Sequence, residues 1–444
     1  MIQPSIRYGH GADRHEEKFI VTLGYYYDRE KGSPSWMSDT WEMDMAPPYL
    51  WNRLDTGISK HHAFEAYNSN KQPYAPAGRF GHSTSIHNDS LLLYGGHDGG
   101  VSRHGQHNYE PGYDFDELWA FNIPTRNWKL IQTKGGPGKR YLHSSTVIGD
   151  LLILYGGLSE GQGDVWSYDI ALREWELLAT ESPRSETNPG RRVGHTMTAV
   201  DQPFLSEVTL DNNLGSNAGS RIRGFLLLGD RKVWRPLGSR GVVPDSAHSF
   251  TDMAVPSGRK YHAEASGWVT VSSSGRPEAL PTSYPSKQKV RGSWLSGLLL
   301  GGQNKEEADV SSTAGASKRK YVHATVITGG TITTPGLTCT AEAWLAVLDC
   351  GVTMVTWHRL PDLPVPLYDS RSALSPSSAS VFTFGGHLCS ETKGEAPFFY
   401  TNAVAMLDLT QVQMLMEGAC QVYGKDLPLQ RGQGQAAMER KVEL

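Results

Sequence analysis

Arginine recurs along this chain, and in most copies a histidine follows three residues later. The series consists of Arg7, Arg79, Arg140, Arg192, Arg259 and Arg371. Histidine follows the first five copies, and leucine follows the last one. A planar guanidinium can donate two parallel hydrogen bonds to a carboxylate. If these arginines converge in the fold, they could bind carboxylates of another molecule. A single copy could instead brace the fold through backbone carbonyls.

Histidines and cysteines are the other candidates for chemistry. The histidines His10, His82, His143, His195 and His262 recur with the arginines. Such spacing predicts one histidine on each of several strands, which favours packing over convergence on one metal ion. The loop histidines His97, His104 and His107 stand near glycines and acids, where solvated side chains are the usual case. We therefore expect no metal and no cofactor.

The arginines precede short apolar runs that end in glycine. These runs are Phe19–Gly24, Leu91–Gly96, Leu152–Gly157, Phe225–Gly229, Leu298–Gly302 and Val381–Gly386. Their last glycines lie 61 to 84 residues apart. A run without polar alternation predicts a strand covered on both faces. Downstream, a tryptophan-containing strand and a second aromatic strand follow in several units, at Trp41, Trp119, Trp166 and Trp344. Each unit thus predicts four strands.

This pattern resembles the Kelch repeat, in which each unit folds as one blade, and it extends over about residues 7 to 416. The resemblance implies an all-β, six-bladed Kelch-type β-propeller with four antiparallel strands per blade and loop insertions. We expect a single propeller over residues 1–428 and a mobile tail, or a short peripheral helix, over residues 429–444. The expected blades are residues 7–55, 78–131, 138–179, 190–255, 257–361 and 368–416.

The fifth expected blade contains an additional segment. Residues 303–341 form a basic insertion that includes Lys318, Arg319 and Lys320, and its sequence resembles the first strand of the third blade. A partial seventh blade is the alternative interpretation. We favour an inserted hairpin, because we find no strand with a glycine pair between Ile327 and Trp344. How the ring closes is left open.

The resemblance also indicates where a partner would bind. In Kelch propellers, the loops from strand two to three and from strand four to the next blade share one face, which is the usual binding surface. The repeated arginines would surround the channel mouth on that face. Loop aromatics such as Phe398, Phe399 and Tyr400 would lie beside them. The predicted partner-binding residues are Arg7, Arg79, Arg140, Arg192, Arg259, Arg371, Lys318, Arg319 and Lys320.

Composition narrows the classes of function. The chain has 444 residues, with 42 basic and 46 acidic ones, so no whole-molecule field favours nucleic acid or a membrane surface. The first residues lack the apolar stretch of a signal peptide. Four cysteines, Cys339, Cys350, Cys389 and Cys420, include no CxxC pair and predict free thiols in a reducing compartment. We expect a cytoplasmic protein, with cytoskeletal association as one option.

The leading hypothesis is an intracellular protein–protein interaction module. It would act as a scaffold or as a substrate adaptor, for example in substrate recognition by a ubiquitin ligase, within a larger assembly. Its protein partner would offer an acidic or carboxylate-bearing segment to the arginine-rich mouth. The alternative is a small-molecule isomerase or lyase of the Kelch enzyme type that works in the channel mouth. Neither a nucleophile elbow, a P-loop nor a dinucleotide-binding motif occurs, so we do not expect an enzyme.

Overall fold

A computed structural model describes residues 2–28, 33–54, 75–99, 113–160, 163–179, 191–202, 222–229, 232–233, 259–271, 319–332, 338–348, 355–388, 399–409 and 421–424. The regular elements in these ranges are all β-strands. No helix in the part of the chain that the structure describes has the length and apolar character needed to cross a membrane.

The first three repeats each form a four-stranded antiparallel sheet. The first contains β1 (Gly11–His15), β2 (Lys18–Thr22), β5 (Thr40–Asp44) and β6 (Trp51–Arg53), with a hairpin of β3 (Tyr25–Asp28) and β4 (Ser33–Trp36) between β2 and β5. The second contains β7 (Ser83–His87), β8 (Ser90–Tyr94), β9 (Leu118–Asn122) and β10 (Asn127–Ile131). The third contains β12 (Ser144–Ile148), β13 (Leu151–Tyr155), β15 (Val165–Asp169) and β16 (Glu174–Ala179), and β11 (Arg140–Tyr141) pairs with β14 (Leu158–Ser159).

The later repeats follow the same plan with local differences. The fourth is described as β17 (Thr196–Gln202), β18 (Ile222–Gly229) and β19 (Lys232–Val233). The fifth contains β20 (Arg259–Lys260), β21 (Ala263–Val271), β22 (Arg319–Thr328), β23 (Thr331–Ile332), β24 (Thr338–Cys339), β25 (Ala343–Leu348) and β26 (Val355–Leu360). The sixth contains β27 (Leu367–Tyr368), β28 (Arg371–Ser375), β29 (Ser380–Phe384), β30 (His387–Leu388), β31 (Phe399–Tyr400) and β32 (Val404–Asp408), and β33 (Gln421–Gly424) pairs with β22.

The apolar runs lie between neighbouring sheets, which explains why they lack polar alternation. In β2, Ile20 belongs to a core cluster with Leu91 and Phe121 of the second sheet. Its neighbour Val21 belongs to a different cluster, which includes Phe384 of the sixth sheet. Successive side chains of one strand therefore face the two adjacent sheets, and both faces exclude water.

Backbone hydrogen bonds join the repeats into a closed ring around a channel. The donors and acceptors lie at equivalent positions just before each innermost strand: Gly81 N–H to Gly9, Leu142 to Gly81, Gly194 to Leu142, Tyr261 to Gly194 and Asp369 to Tyr261, at 2.6 to 3.0 Å. The Gly386 N–H of the last repeat donates to the Arg7 carbonyl of the first at 2.9 Å. The prediction of an all-β propeller is thus confirmed, and this backbone contact joins the last repeat to the first.

The described blades differ in number from the predicted six. Five blades are described together with their side chains, namely those of the first, second, third, fifth and sixth repeats. The fourth repeat contributes β17–β19, and the side chains of β18 and β19 lie outside the described residues. Of the other predicted features, Leu298–Gly302, Lys318, His104, His107, Phe398 and the tail over residues 429–444 also lie outside them.

The fifth repeat corrects the predicted insertion. β22 pairs with β21, with Thr328 opposite Ala263, so it is the second strand of this blade. It ends at Gly329 and Gly330, and the Gly330 N–H donates to the Leu367 carbonyl of the next repeat. This is the glycine pair that the sequence interpretation overlooked. In the described part of this segment, β22 is therefore a strand of the blade and not part of an inserted hairpin, and the seven-bladed alternative is wrong because this strand belongs to the fifth blade.

Candidate functional site

Arg7 lies inside the first blade, where acceptors surround its guanidinium. Its side chain is 0% exposed. It donates to both carboxylate oxygens of Asp39, at 2.7 and 3.1 Å, and to the carbonyls of Ser5 and Leu23. The Trp41 indole N–H donates to the same carboxylate at 2.7 Å. Burial alone would raise the pKa of Asp39, but the hydrogen bonds and charge of Arg7 hold it below its usual value. The arginine thus braces its own blade.

The same arrangement recurs in the next two blades. Arg79 donates to Glu117 at 2.8 Å and Arg140 to Asp164 at 2.7 Å, and each arginine also donates to the first carbonyl of the following glycine pair. The indoles of Trp119 and Trp166 donate to these carboxylates. Both arginine side chains are 0% exposed. In each of these units, the arginine, the acid and the tryptophan therefore form one buried polar cluster. The charge of the buried guanidinium is paired and hydrogen-bonded within it.

This geometry corrects the predicted arginine ring. Arg7, Arg79 and Arg140 do not present their guanidiniums at the channel mouth, because carboxylates and carbonyls of their own blades occupy them. Arg192 is also buried, and the side chain of Arg259 lies outside the described residues. The described geometry supports bracing for the first three.

Arg371 is not a member of the series. The residue with left-handed backbone that precedes each innermost strand is Gly9 in the first repeat and Asp369 in the sixth, so the residue equivalent to Arg7 is Leu367. Arg371 is the first residue of β28 and donates to Asp369 at 3.3 Å and to the Ser370 carbonyl. The sequence spacing misassigned it, since the sixth repeat lacks both the arginine and the histidine.

The basic residues of the predicted insertion lie far from the arginine of their own blade. Arg319 and Lys320 begin β22, whereas Arg259 pairs with Ile332, beyond the other end of that strand. Ten residues of extended strand span about 30 Å. The prediction that these basic residues share a face with the repeated arginines is therefore wrong for Arg319 and Lys320.

Two of the repeated histidines, His143 and His262, contact a hydroxyl group of the preceding blade. His143 Nε2 lies 2.9 Å from Ser83 Oγ of the preceding blade, and His262 Nε2 lies 2.9 Å from Thr196 Oγ1. Burial, followed by the charge of the nearby arginine, holds the pKa of His143 well below its usual value. A Cβ on Gly95 would lie 2.8 Å from the His143 ring, so the first glycine of the pair makes room for the imidazole. This arrangement supports a packing role for the histidines.

An open pocket of about 580 Å³ lies on the face where the arginine-bearing loops meet the loops after the glycine pairs. We call this pocket and its ring-bearing residues the aromatic mouth. Its lining consists of Tyr8, Tyr25, Tyr27, Phe80, Leu142, Tyr261, Tyr368, Asp369, His387 and Tyr400. The rings of Tyr8 and Tyr400 stack with centroids 5.2 Å apart, and those of Tyr368 and His387 stack at 4.5 Å. The lining is therefore a connected aromatic surface.

Two short loops per blade position these rings. The residue after the repeated arginine pairs with the residue after the glycine pair, as Tyr8 does with Tyr25 and Phe80 with His97. The equivalent contact in the sixth blade pairs Tyr368 with His387 through β27 and β30. Each ring is thus held by a two-residue ladder between backbones, which makes the surface preformed.

Asp369 supplies the charge of the aromatic mouth. Its carboxylate accepts the backbone N–H of Gly9 and lies 3.3 Å from Arg371. Burial raises the pKa of Asp369, whereas Arg371 and this hydrogen bond stabilise the charged form. Burial also lowers the pKa of His387 to about 3 and raises that of Tyr368 to about 12, so both rings are neutral at pH 7.

Comparison with known proteins shows a similarity over the first part of the chain. The model of the KLHDC2/KLHL20/DRC7 Kelch-repeats domain matches residues 2–207, which contain the first three repeats described above. Over this part of its length, the chain is similar to the Kelch-repeat propeller family.

The relatives of this Kelch propeller match short stretches. Kelch domain-containing protein 3 of human and of mouse is 36% identical over 97 residues, which are 21% of this chain and 23% of the relative. Multiple epidermal growth factor-like domains protein 8 of rat is 32% identical over 89 residues, 19% of this chain and 3% of the relative. The chain therefore spans less than a quarter of the length of these relatives. A solved structure titled "Structure of YjhT" aligns with 91% of this chain and 96% of its own, at 11% identity and a TM-score of 0.47.

Sequence reasoning found part of the aromatic mouth of this Kelch propeller. It named Tyr400 as a loop aromatic, and that residue lines the pocket. It did not name Tyr8, Phe80 or Tyr368 as binding residues. The signal that would have found them is positional, because the ring follows directly after the residue at the arginine position in several repeats. Asp369 gave no such signal.

Proposed function

We propose that this Kelch propeller is a protein-interaction module that docks a segment of a partner on the aromatic mouth. The main observation in support of this proposal is the open pocket of about 580 Å³ with its connected tyrosine rings. Large aromatic side chains in a concave, preformed surface are the usual anchors of protein interfaces. Roles as a scaffold or as a substrate adaptor are compatible with this surface, and a cytoplasmic location is part of the same proposal.

In this proposal, the repeated arginines stabilise the blades and do not bind the partner. Arg79 lies with its guanidinium 3.6 Å from the centre of the Phe115 ring and pairs with Glu117 inside its blade. A carboxylate-bearing partner would have to displace such internal acids to reach the guanidinium. We therefore place the docking site on the rings. We also infer that β17–β19 belong to a sixth blade, since Gly194 takes its place in the ring of backbone hydrogen bonds.

Site-specific photo-crosslinking tests the proposal. Tyr27 in the aromatic mouth is 39% exposed, and Tyr49, between β5 and β6 at the opposite end of the sheet, is 38% exposed. Each is replaced in turn by p-benzoylphenylalanine, and the full chain is irradiated in the cells that express it. The proposal expects partner adducts at position 27 that are absent at position 49. Adducts at position 49 alone would contradict it.

The enzyme alternative has one observation in its favour. Burial raises the pKa of Glu264, on the innermost strand β21, to about 8, and the charge of Asp13 on β1 adds to this shift. A carboxyl with so high a pKa in a channel is a candidate acid–base group. A thermal-shift screen with sugar-like metabolites tests it. Stabilisation by one compound that disappears in Glu264→Gln supports an enzyme, and no response in either protein argues against it.

A further inference from the structure

We propose that the aromatic mouth binds a cationic side chain, lysine or arginine, of the partner segment. This inference rests on the proposed docking function and specifies its chemistry. The arginine series predicted an acidic partner segment, whereas this inference predicts a basic one. It follows from the rings, from Asp369 and from the placement of the neighbouring cations.

Several tyrosine rings line the pocket and contact one another. Tyr8 stacks on Tyr400 and meets Tyr25 edge to face with centroids 4.8 Å apart. Tyr261 and Tyr368 line the pocket beside Asp369. Burial raises the pKa of Tyr261 and Tyr368, and the charge of Asp369 adds to both shifts, which shows that its field reaches these rings. Tyrosine faces with a carboxylate among them attract a cation.

Asp369 is the acidic residue among those that line the described pocket, and His387 is neutral at pH 7. The pocket has space for one long side chain and its flanking backbone at about 580 Å³. A carboxylate entering it would meet Asp369 and the negative faces of the rings. Charge complementarity therefore favours a basic guest.

Arg371 does not occupy this place. It reaches Asp369 through one nitrogen at 3.3 Å, and its charge adds to the effect of burial in lowering the pKa of His10 and His82. Arg7 and Arg79 are buried with carboxylates of their own blades. These three cations are thus paired with acids of the fold, and Asp369, whose side chain is 8% exposed, lines the pocket.

A structural role for Asp369 makes a different prediction. Its backbone has φ 56°, a left-handed conformation, and its carboxylate accepts the Gly9 N–H next to the ring of backbone hydrogen bonds. Asparagine tolerates this conformation and keeps an acceptor oxygen. The variant Asp369→Asn therefore preserves the structural contact and removes the charge.

Peptide titrations separate the two roles. The probes are acetyl-Gly-Gly-Xaa-Gly-Gly-amide peptides in which Xaa is arginine, its neutral analogue citrulline, lysine, its neutral analogue norleucine, or glutamate. Binding to the full chain labelled with 3-fluorotyrosine is followed by fluorine NMR. We expect arginine and lysine peptides to bind at least tenfold more tightly than citrulline and norleucine peptides. Equal affinity within each pair, or tightest binding of the glutamate peptide, would overturn the inference.

Variants locate the effect. Asp369→Asn should reduce the preference for arginine over citrulline to less than threefold, whereas Asp44→Asn, at a partly exposed pair with Lys18, should leave it unchanged. Tyr368→Leu should weaken the arginine peptide at least fivefold and Tyr368→Phe should not, because phenylalanine keeps the π face. An unaltered preference in folded Asp369→Asn would contradict the role of that carboxylate. If crosslinks form at position 27 but cationic peptides show no preference, docking stands and the cation inference fails; if neither occurs, both fail.

Discussion

Arg140 donates to both carboxylate oxygens of Asp164, with Nη1 2.7 Å from Oδ1 and Nη2 3.1 Å from Oδ2. Arg140 is fully buried, and the Trp166 indole N–H completes the set of donors to that carboxylate. A guanidinium that a sequence would assign to a binding surface thus holds the third blade together. The consequences for stability can be measured.

The buried pair predicts a large cost for Asp164→Asn. The change leaves the buried Arg140 guanidinium without a counter-charge, which typically costs about 3–5 kcal/mol. The matched control is Asp44→Asn, whose partner Lys18 is partly exposed, and such pairs contribute about 0–1 kcal/mol. Denaturant unfolding of the three proteins gives the comparison. Equal losses in the two variants would show that the cluster is not a brace.

Replacing the first glycine of a pair by alanine should cause a steric clash, in addition to the strain of the left-handed backbone conformation. In Gly95→Ala, the added Cβ would lie 2.5 Å from the Arg140 carbonyl oxygen, at φ +66°. Gly135 has φ +65° and nothing within 4 Å of its added Cβ, so Gly135→Ala measures backbone strain alone. We expect roughly 1–2 kcal/mol for the control and about 1–3 kcal/mol more for Gly95→Ala. Unfolding free energies that match would contradict this packing.

Glu264 predicts a stability that depends on pH. Its pKa is about 8 in the fold because burial disfavours its charged form, and about 4.3 in an unfolded chain. The folded state holds the proton between these values, so wild-type stability from this group is full below about pH 4 and is lost as pH rises to about 8.

Glu264→Gln removes this dependence. The variant should therefore be more stable than wild type at pH 8, by roughly 1–2 kcal/mol after allowance for solvent screening, and equal to it near pH 4.5. Thermal unfolding of both proteins across this range is the measurement. A difference that is constant with pH would rule out titration of this group as the cause.

We expect Cys339 to be covalently linked through a disulfide in the native protein. It takes part in a disulfide, which corrects the expectation of free thiols for this residue. We expect peptide mapping without reductant to recover Cys339 in a linked peptide, and reduction to lower the free energy of unfolding by about 2–4 kcal/mol. A freely alkylated Cys339 in the native protein would contradict the link. A confirmed link would also count against a reducing compartment, where structural disulfides are rare.

The sequence determines the propeller because its repeats are local and chemically distinctive. Apolar runs such as Leu91–Tyr94 must be covered on both faces, and the glycine pairs give room to the neighbouring histidine, so strand order and packing follow from the pattern. The fifth and sixth repeats were harder to assign from the sequence, because the residues that identify the other repeats differ there. Gly329 and Gly330 follow a threonine-containing run, and Leu367 stands where the other repeats have arginine.

The site was harder to predict than the fold. A repeated arginine looks the same in a sequence whether its partner is Asp164 two strands away or another protein, since strand pairing decides which acid it meets. Tyr8 and Tyr25 are separated by 16 residues and become neighbours only when the two loops pair. The position of Asp369 in the ring of backbone hydrogen bonds cannot be predicted from the spacing of residues in the sequence.

Partner recovery by variants of the aromatic mouth tests the central claim most directly. The double variant Tyr8→Ala, Tyr400→Ala removes the stacked pair, and Tyr49→Ala removes an equally large ring at the opposite end of the first sheet. Proteins recovered with each full-length chain from its native cells are quantified by mass spectrometry, after melting temperatures confirm folding. The account predicts at least tenfold lower recovery of the crosslinked partners with the double variant and unchanged recovery with Tyr49→Ala. Unchanged recovery with a folded double variant would contradict it.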